Sequence, residues 1–178
     1  DAPFIIDNPY IKSLSWANIK YIFSHSIEGY HPLSLLTIAV EYYFVKLHPL
    51  IYHLDNLILH LLNIVILSLV LKKLSFSNTI TFIVLMLFAI DPVHVQTVAQ
   101  VSERRGLLMA FFYLLSLYYY IKYSEHKSTR AYISSLMFFI LSVFSNGRAI
   151  PLAVVIFIVD YYNNKNFKNL SLYLEKVP

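Results

Sequence analysis

The stretch from Asp91 to Arg105 collects side chains suited to holding a phosphate or a sugar, namely His94, Gln96, Arg104 and Arg105. An arginine fork meets phosphate through two parallel hydrogen bonds, which makes Arg104 the strongest anion anchor among them. The plainer reading is a solvated loop in which Glu103 pairs with a neighbouring arginine. A second set, Tyr52, Asn56, His60 and Asn63, recurs at steps of four, four and three, so a helix puts all of it on one face. Polar groups on an otherwise apolar helix must either bond a neighbouring helix or line a substrate path. Other chemistries lack their residues. There is no cysteine for a thiolate metal site or a nucleophile, the histidines lack metalloprotease spacing, and three glycines make no phosphate-cradling loop. We expect neither a metal nor a cofactor, and a nucleotide donor is disfavoured.

Composition sets the solvent in which those residues work. The 178 residues are 58% hydrophobic and only 13% charged, against roughly 45–50% and about 25% for soluble chains. A chain of this size has no interior large enough to bury so much apolar surface. A cytosolic enzyme, a disordered tail and a nucleic-acid-binding module are therefore excluded, and the expected class is an all-α, polytopic helical membrane protein. Asp1 is preceded by no Met and followed by no signal-like segment, so the sequence reads as a piece of a longer membrane protein.

Three regions follow. Residues 1–48 form an outer loop with interfacial helices. Ser15 is placed to cap a short helix with Trp16, Ile19 and Phe23 on one face, and Gly29 to end it. Pro32 suits the first turn of a second helix. Its Ser34, Thr37 and Glu41 make one polar stripe, as in a helix lying in the membrane interface; the alternative is a crossing that buries Glu41, at the cost of a charge in the membrane. Residues 49–162 hold five spans, at 49–71, 78–90 (starting as early as 74), 106–123, 131–144 and 149–162. The last two are short for a hydrocarbon core about 30 Å thick. Residues 163–178 are a cytoplasmic segment.

Basic residues orient the whole. Lys72 and Lys73, then Lys122, Lys127 and Arg130, then Lys165, Lys168 and Lys176 fall in alternate loops, which makes those loops cytoplasmic. Residues 1–48, 91–105 and 145–148 then lie on the outer side. Arg104, Arg105 and Arg148 stay there against the rule, which asks for a functional explanation.

The motifs, taken in order, resemble a known family. They are Asp1 to Ile11 followed by Ser13-Leu14-Ser15-Trp16, then Tyr30-His31-Pro32-Leu33, Tyr52-His53-Leu54 with Asn56 and His60, Pro92-Val93-His94, and Asp160-Tyr161. This series is similar to the transmembrane, tetratricopeptide-repeat O-mannosyltransferases and their bacterial relatives, and covers nearly the whole chain. The resemblance implies a partial GT-C fold and transfer of a sugar, expected to be mannose, from a dolichyl or polyprenyl phosphate to a protein hydroxyl on the outer side. It implies Asp1 as part of the catalytic base, which would draw the proton from the acceptor hydroxyl. His94, Arg104, Arg105, His31 and Arg148 would hold the donor phosphate and sugar. The partners implied are the lipid-linked sugar, a protein acceptor and membrane lipid. The implied location is the endoplasmic reticulum membrane in a eukaryote or the plasma membrane in a prokaryote. No tetratricopeptide repeat is visible before Pro178.

The chain also departs from the family pattern. Where the family reads His-Pro-x-His-x-Glu, this sequence has Asp91 first and Gln96 last, and Gln takes no proton. Gly106 follows the two arginines where an acid is usual, and Ser145-Asn146-Gly147 replaces Ser-Lys-Glu. Two alternatives stay open: a non-catalytic scaffold of the same fold, and a transporter or flippase of a lipid-linked or acidic solute.

Overall fold

A computed structural model describes residues 5, 7–26 and 29–162. Asp1 and the segment 163–178, with Lys165, Lys168 and Lys176, lie outside the described residues. Among those described, the chain is all-helical. Its α-helices are α1 (Trp16–Ser24), α2 (Pro32–Val45), α3 (Pro49–Lys73), α4 (Asn78–Ile90), α5 (Pro92–Ala99), α6 (Arg104–His126), α7 (Thr129–Ser145) and α8 (Leu152–Tyr162).

Local chemistry sets the helix limits. Ser15 caps α1 by accepting from the Asn18 amide at 3.3 Å, and Pro32, Pro49 and Pro92 open α2, α3 and α5. Gly29 bends the chain ahead of α2 with φ +107°, a conformation that strains any other residue. The C-terminus of α3 closes with paired bonds, Phe76 N–H to Leu71 O at 3.2 Å and Ser75 N–H to Lys72 O at 3.0 Å. That is a Schellman cap, with Ser75 at φ 60° in the position glycine usually takes. Ser77 then starts α4, and Asp91-Pro92 stops it after 13 residues.

Helices α3, α6 and α8 run one way, with α4 and α7 returning between them. The α6–α7 hairpin is joined along small residues. Ser116 Oγ donates to Ser135 O at 2.8 Å, Ser135 Oγ donates to Ser116 O at 3.0 Å, and Ser142 Oγ donates to Met109 O at 2.9 Å. Small side chains let the two backbones approach closely enough for these bonds. One apolar cluster gathers Ile66, Val70, Leu117, Ile121, Leu152 and Val159 between α3, α6 and α8; another packs Ile11, Ile22, Leu35 and Ile38 with Tyr52 and Val101 at the opposite end.

Polar residues are buried and large apolar ones face outward. Asn56, Asn63, Ser116, Ser142 and Asp160 are buried, whereas Leu54, Leu61, Val65, Phe82, Leu87 and Ile158 are exposed. Two expectations are corrected here. The Ser34–Thr37–Glu41 stripe of α2 does not face out: Ser34 and Glu41 are buried, and Phe44 is 75% exposed. Trp16, grouped by its spacing with Ile19 and Phe23 on one face of α1, is 78% exposed, and Ile22 is the α1 residue that reaches the core. Each of the five expected spans corresponds to a helix. One of them, α3, is both long and apolar enough to cross a membrane among the described residues.

Candidate functional site

The N-termini of α3 and α6 meet beneath α2, and a chain of polar contacts joins all three. Arg104, at the first turn of α6, is 2% exposed. Its Nη1 donates to Glu41 Oε2 of α2, its Nε to Asn56 Oδ1 at 3.0 Å, and its Nη2 to the Tyr52 carbonyl of α3 at 3.0 Å. The guanidinium carbon also stands 5.7 Å from the centre of the Tyr52 ring. Asn56 extends the chain, because its Nδ2 donates to Val98 O at 3.3 Å and to Gln100 O at 3.0 Å. Tyr52 ends it, its hydroxyl donating to Lys46 O at 2.7 Å. One arginine and one asparagine thus fix the outer helix, the long helix and the loop after α5 to each other.

Electrostatics make this junction conditional. Burial pushes the Glu41 carboxyl above the usual carboxylate range, and Arg104 works against that by bonding and charge. Glu41 Oε1 and Ser34 Oγ, on the same face of α2, are buried without a hydrogen-bond partner. Losing one member of such a pair typically costs about 3–5 kcal/mol, because the other charge stays buried alone.

Beside the junction, an open groove of about 450 Å³ runs between α3, α4 and α5, lined by His53, Leu57, His60, Ala89, Val95, Val98 and Ala99. It is apolar except for its two imidazoles. His60 stacks on Phe88 with ring centres 5.6 Å apart. His53 and His60 lie one helical turn to either side of Asn56, so the groove shares a wall with the polar junction. Such a space can take an apolar group with a polar end near the two imidazoles.

Of the sequence-derived site residues, His31, Arg104, Arg105 and Arg148 lie at this end of the bundle, with different surroundings. His31 is buried at the N-cap of α2. Arg105 pairs with Glu103 at 3.1 Å and stays partly exposed, as the solvated-loop reading anticipated for Glu103. Arg148 is exposed in the short turn Gly147–Ala149. That turn belongs to the same end because Phe144 contacts Phe23 and Tyr30, each at 6.3 Å. His94 belongs to α5, its side chain outside the description, and Asp1 lies outside the described residues. Arg104 is turned inward on Glu41 rather than toward open space.

Sequence reasoning did not find the Glu41 partnership, the groove, or the bond from Tyr120 Oη to buried Asp160 Oδ2 at 2.8 Å. A signal existed for the first. Ser34 and Glu41 share a face with the buried edge of α2, and Tyr52 and Asn56 share the facing edge of α3. The face Tyr52–Asn56–His60–Asn63 is buried throughout, and Asn63 Nδ2 donates to Leu107 O at 3.0 Å.

An all-helical bundle with inward polar residues and a phosphate-suited loop is compatible with a membrane-embedded glycosyltransferase, and the comparisons point the same way: the chain resembles the protein O-mannosyl-transferases. It is 31% identical over 133 residues to protein O-mannosyl-transferase TMTC4 of Homo sapiens, which is 67% of this chain and 18% of that protein. It is 34% identical over 102 residues to TMTC3 of Homo sapiens, covering 57% of this chain and 11% of that one. With tmtc2 of Xenopus laevis it shares 36% over 118 residues, or 66% and 14% of the two chains. The chain therefore spans less than a fifth of the length of these curated relatives. No family model matches the chain, and no solved structure matches it.

Proposed function

We propose that this chain is the part of a membrane-embedded glycosyltransferase of partial GT-C fold that receives a lipid-linked sugar. In this reading mannose passes from a dolichyl or polyprenyl phosphate to a protein hydroxyl at the end of the bundle where α2 and α5 lie. The similarity to protein O-mannosyl-transferases carries the reading. The inverted surface supports it, since contiguous apolar faces on α2, α3, α4 and α8 suit lipid better than water. Helices α3, α4, α6, α7 and α8 are the five crossings. At 1.5 Å per residue α3 reaches about 37 Å and α4 only about 20 Å, so α4 ends its crossing below the outer headgroups and leaves the groove open toward lipid. The membrane is the endoplasmic reticulum in a eukaryote and the plasma membrane in a prokaryote.

The polyprenyl chain lies in the groove with its phosphate toward His94, Arg105 and Arg148. With Glu41 on its Nη1, Arg104 acts as a positioning residue that holds the loop and α2, and His31 supports the start of α2. Asp1 serves as general base for the acceptor hydroxyl, a role that typically contributes 10²–10⁴-fold. The test is transfer of mannose from dolichyl phosphate mannose to an acceptor peptide by the native protein in lipid nanodiscs. Asp1→Asn should lower transfer by about two orders of magnitude with donor binding retained. Unchanged transfer would remove Asp1 from the mechanism.

A second reading has its own support. Asp91, Gln96, Gly106 and Asn146-Gly147 replace residues usual in the family, and these favour a scaffold that binds the lipid-linked sugar without transferring it. Donor binding with no transfer by the unmodified protein would establish that reading over the first.

A further inference from the structure

At the opposite end of the bundle, the C-termini of α3 and α6 enclose a second groove of about 450 Å³, lined by Leu69, Lys72, Lys73, Ser75, Tyr118 and Glu125. Its charges are not balanced. Lys73 Nζ is held by Glu125 Oε2 at 2.5 Å, and His126 Nε2 approaches the same oxygen at 3.6 Å. Lys72 is exposed, and Lys122, Lys127 and Arg130 extend the same end, with Lys127 lying over the Tyr123 ring at 4.9 Å. Glu125 thus neutralises one lysine of a strongly basic rim. The Schellman turn carries Ser75 past the end of α3 and places it on the groove beside Lys72. The groove opens at Leu69 onto an outward apolar strip, Leu62, Val65 and Leu69. A hydrogen-bonding basic hollow continuous with a lipid-facing strip matches a molecule having a phosphate at one end and an acyl chain at the other.

We propose that this groove binds an anionic phospholipid from the leaflet at the basic end, its phosphate against Lys72 and Ser75 and one acyl chain along Leu69 and Val65. The site is distinct from the donor groove at the far end of the molecule. The inference rests on the membrane-embedded reading, but not on sugar transfer.

The experiment counts bound lipid by native mass spectrometry on purified protein in neutral detergent, titrated with phosphatidylglycerol or with phosphatidylcholine. Phosphatidylglycerol should bind at least about five-fold more tightly, and Lys72→Gln should remove roughly that factor, the scale of one lysine near an anionic surface. Lys72→Arg should keep the preference. Glu125→Gln should strengthen it by releasing Lys73. Equal binding of the two lipids, or no effect of Lys72→Gln, would overturn the proposal. So would displacement of phosphatidylglycerol by inorganic phosphate at equal concentration, which would make the groove a free-phosphate site. Alkaline carbonate washing of the protein on vesicles separates the two levels. A protein that washes off refutes both the membrane reading and the lipid site, while one that stays but shows no lipid preference refutes the lipid site alone.

Discussion

The α6–α7 seam and the Glu41–Arg104 junction solve one problem with opposite means. Both must join helices where water does not compete for hydrogen bonds. The seam uses serines that bond backbone carbonyls across the gap, so no net charge is desolvated. The junction buries a full ion pair, holds it with one asparagine, and leaves Glu41 Oε1 and Ser34 Oγ without partners. Neutral joints of the first kind degrade gradually when altered, since each bond is small and local. Charged joints of the second kind fail abruptly, because removing one member strands the other. The molecule places the abrupt joint beside the groove between α3, α4 and α5 and the gradual joint along the body of the bundle.

That contrast is broken most strongly at Arg104. Arg104→Ala should cost about 3–5 kcal/mol of stability, read as a large fall in the thermal unfolding midpoint of the protein in detergent. Glu41→Leu combined with Arg104→Met should recover most of that loss, since a matched apolar pair leaves no stranded charge. A double variant as unstable as Arg104→Ala would mean that the pair is not the source of the cost. Next comes overpacking of the seam, where Ser135→Leu should destabilise by about 1–3 kcal/mol, the range for inserting bulk into a close contact. Ser135→Ala sharpens the comparison, because loss of a neutral interhelical bond in a membrane bundle should cost only about 0.6 kcal/mol. Equal losses for Ser135→Ala and Arg104→Ala would erase the distinction between the joints. The smallest effect belongs to neither joint and calibrates both. Ser75→Gly relieves a left-handed residue at the α3 cap and should stabilise by up to about 1 kcal/mol, visible as a small rise in the same midpoint.

Much of this architecture could be read from residue order, and its failures share a cause. Pro32, Pro49 and Pro92 mark helix starts, Ser15 and Ser77 cap, and Lys72-Lys73 ends the longest helix; these are local rules that need no partner. The face carrying Tyr52, Asn56, His60 and Asn63 was also legible, because its three- and four-residue spacing needs only helix geometry. Periodicity states which residues share a face, but not which way the face looks. The Ser34–Thr37–Glu41 stripe reads as that of an interfacial helix, whereas Glu41 turns inward to Arg104, 63 residues away in sequence. Helix α1 shows the same limit: the spacing groups Trp16, Ile19 and Phe23 on one face, yet Trp16 is exposed and Ile22 fills the core position. The groove between α3, α4 and α5 was out of reach because it depends on how early Asp91-Pro92 stops α4 and folds α5 back against α3.

Asn56 grips the loop after α5 through the carbonyls of Val98 and Gln100 and not through their side chains. A carbonyl is common to all twenty amino acids, proline included. The anchor is therefore blind to what the loop says and sensitive only to where it runs. Residues 98–100 can be exchanged without loosening the fixture, so the groove wall can be re-lettered while the frame that presents it stays the same. Evolution and protein engineering alike gain from such a socket: variation is free along the groove wall, and the penalty for error is concentrated on one buried amide.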